Sequence, residues 1–276
     1  MASTDVIFIH GMFLNPHSWG PWESYFRQRD YACLSLPWPL HDGEPAELRR
    51  HIPRGLGELR LATVIDNLRA QLIEYPDAIL IGHSVGGLIV QRFISEGIGS
   101  LGVPICSVAP NRMLPFDWGF LRNSAAITNP LKGDTPYPMD VDGFYKNFGN
   151  TMTREESDAA FERFALPDSR NILRDCLAQE GKVDLARPHV PLLFVAADQD
   201  EIIPAELCEK NADAYSHKGS RTYFVKFRNR GHFICGQRGW ESVAGYINRW
   251  IQDRRAGGAV GASRSSAEPV APRERA

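Results

Sequence analysis

The sequence predicts an α/β fold: a mostly parallel sheet of about six strands flanked by helices, with a helical lid inserted late in the sheet. Three observations predict it. Short apolar runs alternate with helix-periodic segments over residues 5–110 and again over 187–252. One such run breaks into Gly82-His83-Ser84-Val85-Gly86-Gly87 and passes at once into an apolar, helix-like stretch. From about Pro110 to Pro188 no strand pattern occurs, although the interval holds Trp118, Phe120, Phe144, Tyr145 and Phe148. A structureless loop of that length is foreign to a compact domain, so the interval reads as helical.

The elements follow in order. Val6–Ile9 is a β-branched and aromatic run that stops at His10-Gly11, as a buried parallel strand does. Ser18–Arg29 places Trp22, Tyr25 and Phe26 at near-helical spacing. Tyr31–Leu36 is a second strand, ended by Pro37 and Pro39, and a long polar loop follows. Leu59–Glu74 carries Leu61, Val64, Ile65, Leu68 and Leu72 on one face. Ala78–Ile81 leads into the glycine-flanked serine and the helix Leu88–Ile94. Val103–Val108, Pro191–Ala196 and Arg221–Phe227 are three more strands, and Gln237–Ile251 is the closing helix. Within the insertion, Arg154–Phe164 is the clearest helical stretch. The chain thus divides into a core of 1–110 and 187–255, a lid of 111–186 and a Gly/Ala/Ser/Arg-rich tail of 256–276 expected to be disordered.

The 276 residues, 43% of them hydrophobic, suffice for one domain with a large core plus an insertion. A formal net charge of −2 gives no reason to expect nucleic acid or a membrane as partner. The five cysteines are scattered, with no CxxC pair and no metal-ligand spacing. They read as incidental thiols in a reducing compartment, with no metal and no cofactor. The first residues lack a basic targeting segment, and no apolar run nears the length of a membrane span. The expectation is a cytoplasmic protein, monomer or homodimer, acting on a small molecule.

The strand–Gly-x-Ser-x-Gly–helix pattern carries chemistry. A turn this tight needs glycine on both sides, because a Cβ at Gly82 or Gly86 crowds helix against strand. The serine is then held strained, with its Oγ exposed as a nucleophile. Such a hydroxyl needs a base and a group to orient that base. Downstream, Asp198-Gln199-Asp200-Glu201-Ile202-Ile203-Pro204 and Arg230-Gly231-His232-Phe233 each follow a strand, where open α/β sheets build their sites. His232 is the expected base. Asp198 and Asp200 both remain candidates for the acid. Of the other histidines, His83 reads as packing beside the sheet, His10 as a structural hydrogen-bonding residue, and His189 lies at the opposite edge. His17, His41, His51 and His217 fall in polar loops and read as solvent-facing.

Together His10-Gly11, Gly82-His83-Ser84-Val85-Gly86-Gly87, Asp200-Glu201-Ile202-Ile203-Pro204 and Gly231-His232-Phe233 resemble the α/β-hydrolase family, over roughly residues 5–252. The resemblance implies a Ser84–His232–Asp200 triad, the D-x-I-x-P loop favouring Asp200. It also implies an oxyanion hole from the N–H groups of Val85 and Met12, with Phe13 the second choice to Met12. The chain departs from the family in lacking two leading strands and in its Pro37-Trp38-Pro39 loop. Phe13, Met113, Trp118, Phe144, Ile203 and Phe233 are the expected substrate-binding residues, with Trp19, Phe120 and Phe148 as further apolar candidates. Serine at the turn speaks against the dehalogenases and epoxide hydrolases of this fold, which carry aspartate there. Gly11 and Phe233 stand where hydroxynitrile lyases place threonine and lysine. The leading expectation is hydrolysis of a carboxylic ester of a small or medium apolar substrate. The alternatives are C–C bond hydrolysis, perhydrolysis or acyl transfer on the same triad, and a non-catalytic ligand-binding protein.

Overall fold

The computed structural model describes residues 4–113, 124–256 and 273–275. Six parallel strands, β1 (Thr4–Ile9), β2 (Tyr31–Leu36), β3 (Ile79–His83), β4 (Leu101–Ile105), β5 (Leu192–Ala197) and β6 (Thr222–Phe227), lie in the order β2-β1-β3-β4-β5-β6. β3, β4 and β5 are buried along their whole length, which is why they read as continuous apolar runs rather than alternating ones.

The side chains still alternate between two faces. Ile7, Ile9, Leu80, Leu192, Phe194 and Ala196 point into one apolar cluster. It is filled from the helices α3 (Leu61–Leu72), α4 (Val85–Glu96) and α8 (Ala205–Asp213). Val6, Phe8, Ile79, Ile81, Val103, Ile105 and Val195 point into the other, filled from α1 (Gly20–Arg27) and α9 (Trp240–Arg255). Fully burying one such side chain stabilises by about 1.5–3 kcal/mol, so these two layers fix the sheet against its helices. Trp19, a candidate for the pocket, sits in the second layer, stacked on Phe8 at 5.0 Å. A short 3₁₀ turn over Pro16–Trp19 carries it beneath the sheet, away from Ser84.

Three features depart from the sequence reading. The loop after β2 contains a short helix, α2 (Pro45–Arg50), with Pro45 in its first turn, where the missing N–H costs nothing. α8 follows Pro204 in a stretch to which the sequence reading assigns no element. The tail expected to be disordered contributes Arg273–Arg275 as β7, paired antiparallel with β6. β6 otherwise presents an open edge, and any extended backbone can pair there, whatever its composition.

Between β4 and β5 lies the insertion. Residues 124–128 are helical, and α5 (Val141–Asn147), α6 (Arg154–Phe164) and α7 (Arg170–Leu177) follow. α6 opens with a reciprocal capping box between Thr153 and Glu156. Phe144, Phe148, Phe161 and Phe164 join the same apolar cluster as α3 and α4. The Asn111 N–H donates to the Gly181 carbonyl at 3.0 Å, so the two ends of the insertion meet.

Candidate active site

Parallel strands put all their carboxyl ends on one edge of the sheet, and the loops leaving β1, β3, β5 and β6 meet there. Phe13 (65°), Ser84 (56°), Cys106 (42°) and Asn229 (55°) are non-glycine residues with positive φ in loops that leave this edge. Strain of this kind collects where the surrounding structure fixes a functional geometry.

Ser84 stands between β3 and α4 at φ 56°, ψ −119°. Its N–H donates to the Ile105 carbonyl at 2.9 Å. The flanking glycines are steric necessities. A Cβ on Gly82 would lie 2.2 Å from the Gly86 carbonyl oxygen, and one on Gly86 2.3 Å from that of Ile9. The loop after β1 also touches the serine: a Cβ on Gly11 would come within 2.8 Å of Ser84 Cβ.

Asp200 and His232 meet. His232 Nδ1 donates to Asp200 Oδ2 at 2.7 Å, and both side chains are fully buried. Asp200 Oδ1 accepts the N–H groups of Ile202 and Ile203, each at 2.8 Å. Asp198, the rival, is exposed and, among the described residues, its side chain accepts only the Arg230 N–H, at 3.3 Å. With Nδ1 engaged, His232 Nε2 is buried and has no hydrogen-bond partner among the described residues. Phe148 of the insertion packs edge-on to the His232 ring at 5.0 Å, and its carbonyl accepts the Phe233 N–H. Gln237 steadies the same loop through the Gly231 N–H at 3.0 Å.

His83 does more than pack. Its Nε2 donates to the His232 carbonyl at 2.8 Å. Burial, with His232 nearby, lowers its pKa to about 3, so it stays neutral. His10 is also held neutral by burial and by neighbouring His41. It donates from Nδ1 to the Gly11 carbonyl and accepts the Trp38 N–H at Nε2, a structural role.

The two oxyanion candidates on the first loop part company. The Phe13 N–H donates to Asp168 Oδ2 at 2.9 Å, so it is already committed, and Met12 is the donor left. Met12, Phe13, Val85, Phe144, Ile203 and Phe233 share one apolar cluster, with Met113 packed against it. Phe233 contacts Phe144 at 5.5 Å. Trp118 and Phe120 lie outside the described residues. His41, read as solvent-facing, is fully buried beside Asp168. Its loop folds under Trp38, so a polar sequence neighbourhood did not mean a wet one.

Two further residues carried no sequence signal as part of the site. Asp168 comes from the insertion, one residue ahead of Ser169, which caps α7. Cys106 follows β4, and its donor atom lies within 4.8 Å of those of Asp200 and His232, all three buried. Burial and then Asp200 push its thiol pKa well up, so it stays protonated, while the carboxylate and Nδ1 are spent on each other. A cavity of about 190 Å³ elsewhere, lined by His189, Glu209, Tyr215 and His217 among others, includes none of these residues.

A parallel sheet with a strained serine at one strand end and a buried His–Asp pair at two others defines the class of fold. The pattern of the alpha/beta hydrolase family matches residues 6–244, and the chain belongs to that family. No curated protein matches it in sequence. Among solved structures it is similar to the monoacylglycerol lipase of Paleococcus ferrophilus (16% identity, 90% of this chain and 95% of that one, TM-score 0.65). It is also similar to an Arabidopsis methylesterase (13%, 90% and 99%, TM-score 0.65). A third is tomato methylketone synthase I complexed with 2-tridecanone (12%, 91% and 99%, TM-score 0.67). At these identities the likeness is one of fold. Among the described residues, no helix is long and apolar enough to cross a membrane.

Proposed function

We propose that the chain is a serine hydrolase that cleaves a carboxylic ester of a small or medium apolar substrate through Ser84, His232 and Asp200. One observation carries this reading: His232 binds Asp200 through Nδ1 and keeps Nε2 buried, with no hydrogen-bond partner among the described residues, beside a strained serine turn.

Ser84 Oγ attacks the ester carbonyl carbon while His232 Nε2 takes its proton. Asp200 holds the Nδ1–H tautomer and stabilises the imidazolium that forms. The N–H groups of Val85 and Met12 receive the oxyanion, each such donor being worth about 10²–10³ in rate. The tetrahedral adduct collapses, the C–O bond breaks, and the departing alkoxide takes the proton from Nε2. Water then attacks the acyl-enzyme with His232 as base, the acid leaves, and Ser84 recovers its proton. The insertion acts as the lid, and Phe13, Met113, Phe144 and Phe233 supply apolar walls without a fixed charge. The unpaired cysteines fit a reducing, cytoplasmic setting.

A series of p-nitrophenyl esters of increasing acyl length, run beside Ser84→Ala, tests the reading. The wild type should show a burst of product and label with a serine-directed fluorophosphonate. Ser84→Ala should lose labelling and fall by about 10⁴-fold or more in kcat. Full esterase activity in that variant overturns the proposal.

A further inference from the structure

We propose that Asp168 and His41 are positioning residues for the oxyanion loop: the insertion reaches across the site through Asp168, fixes Phe13, and so sets where the Met12 N–H points. The inference rests on the serine-hydrolase reading above.

Phe13 has positive φ, a conformation that a residue with a side chain keeps only under outside constraint. Both its backbone groups are held by one segment of the insertion. Its N–H donates to Asp168 Oδ2 at 2.9 Å, and its carbonyl accepts the Leu166 N–H at 3.1 Å. Asp168 is itself rigid. Its backbone exchanges hydrogen bonds with Tyr137 at 2.7 and 3.1 Å. Its Oδ1 accepts the Ser169 N–H at 2.7 Å, and Ser169 Oγ lies within hydrogen-bond reach of the carbonyls of Gly57 and Leu59. Clamping Phe13 from both sides leaves Met12, one residue earlier, little freedom.

A buried carboxylate beside a forming oxyanion would oppose the reaction unless it were neutralised. His41 supplies the countercharge. Its Nε2 lies 3.4 Å from Asp168 Oδ2, an ion-pair contact, and its Nδ1 donates to the Pro39 carbonyl at 2.9 Å. Burial alone would lower its pKa, but Asp168 outweighs burial and raises it. The imidazole is wedged beside His10 and Trp38, each at 5.5 Å between ring centroids. The result is a locally neutral anchor whose Oδ2 accepts the Phe13 N–H and which presents little net charge to the oxyanion.

The test measures fluorophosphonate labelling of the full 276-residue chain, separating kinact from KI. Wild type, Asp168→Asn, Asp168→Ala and Ser84→Ala are compared. A misplaced donor costs on the order of 10²-fold, so Asp168→Ala should lose about 30–100-fold in kinact with KI within about twofold. Asp168→Asn keeps one acceptor and should fall between, about three- to tenfold below wild type. The downfield proton resonance of the His232–Asp200 hydrogen bond should persist in both, which a general collapse of the site would not allow. If wild type fails to label at Ser84, the hydrolase reading falls and this inference with it. If wild type labels and Asp168→Ala labels within twofold of it, this inference alone falls. Should Asp168→Ala fail to fold, an Asp168→Asn rate equal to wild type overturns it.

Discussion

His83 Nε2 lies 2.8 Å from the carbonyl oxygen of His232, so the residue before the serine holds the main chain of the histidine that faces it. The contact ties the β3 turn to the loop after β6 without using either imidazole as an acid. It also carries a pH signature.

Folded His83 has a pKa near 3, against 6.5 for an ordinary histidine. Between those values the unfolded chain binds the proton and the folded chain does not. The contribution of His83 is therefore complete above its unfolded pKa and is lost progressively as pH falls toward the folded one. Between about pH 7 and about pH 4.5 this group alone should cost about 2–3 kcal/mol of stability. Urea unfolding of wild type and His83→Phe at both pH values checks this. The variant should lose less on acidification, and parallel losses would show that His83 is not the group responsible.

Asp200→Asn should be more damaging than its size suggests. Asp200 Oδ1 accepts two backbone N–H groups, so the amide oxygen must take that place and its NH₂ then faces His232 Nδ1. Nδ1 must become an acceptor, and the proton moves to Nε2, where the mechanism needs a base. A fall of about 10⁴-fold in kcat is expected, with the far-ultraviolet spectrum unchanged. Asp198→Asn should stay within about twofold of wild type, because Asp198 is exposed and away from His232.

Gly86→Ala should damage the fold before it touches chemistry. Its methyl group would meet the carbonyl oxygens of Ile9 and His10 at 2.3 and 2.5 Å, and main chain cannot step aside as a side-chain tip can. A loss of about 1–3 kcal/mol or more, read as a lower urea midpoint, is expected. Gly97→Ala is a poor control because Gly97 has a positive φ of 85°, whereas Gly20→Ala meets open space and should be nearly silent.

The six parallel strands and the loops that carry Ser84, Asp200 and His232 were legible because their signals are local. An apolar run, a glycine-flanked serine and a histidine just past a strand end each sit within a few residues. α2 and α8 were not read, being too short or too irregular in apolar spacing to show a period. Asp168 was not read either, because its partner Phe13 is 155 positions away in the chain. His41 was misread for a related reason: Pro39 and Asp42 flank it in sequence, but Asp168, Trp38 and His10 surround it in space.

The hydrogen bond from the Asn111 N–H to the Gly181 carbonyl means that the chain leaves and re-enters the core at nearly one point. The segment between Asn111 and Gly181 is nonetheless stitched to the core along its length, through Phe148 on the His232 ring and the Phe233 N–H and through Asp168 on Phe13. Replacing it would leave the strand pairings, which lie outside it, in place, but would remove the packing on His232. The Asp168–Phe13 clamp and the contacts of Phe148 with His232 and Phe233 are what a replacement segment would have to reproduce, because at both places a change in the insertion reaches the rate as well as the range of substrates.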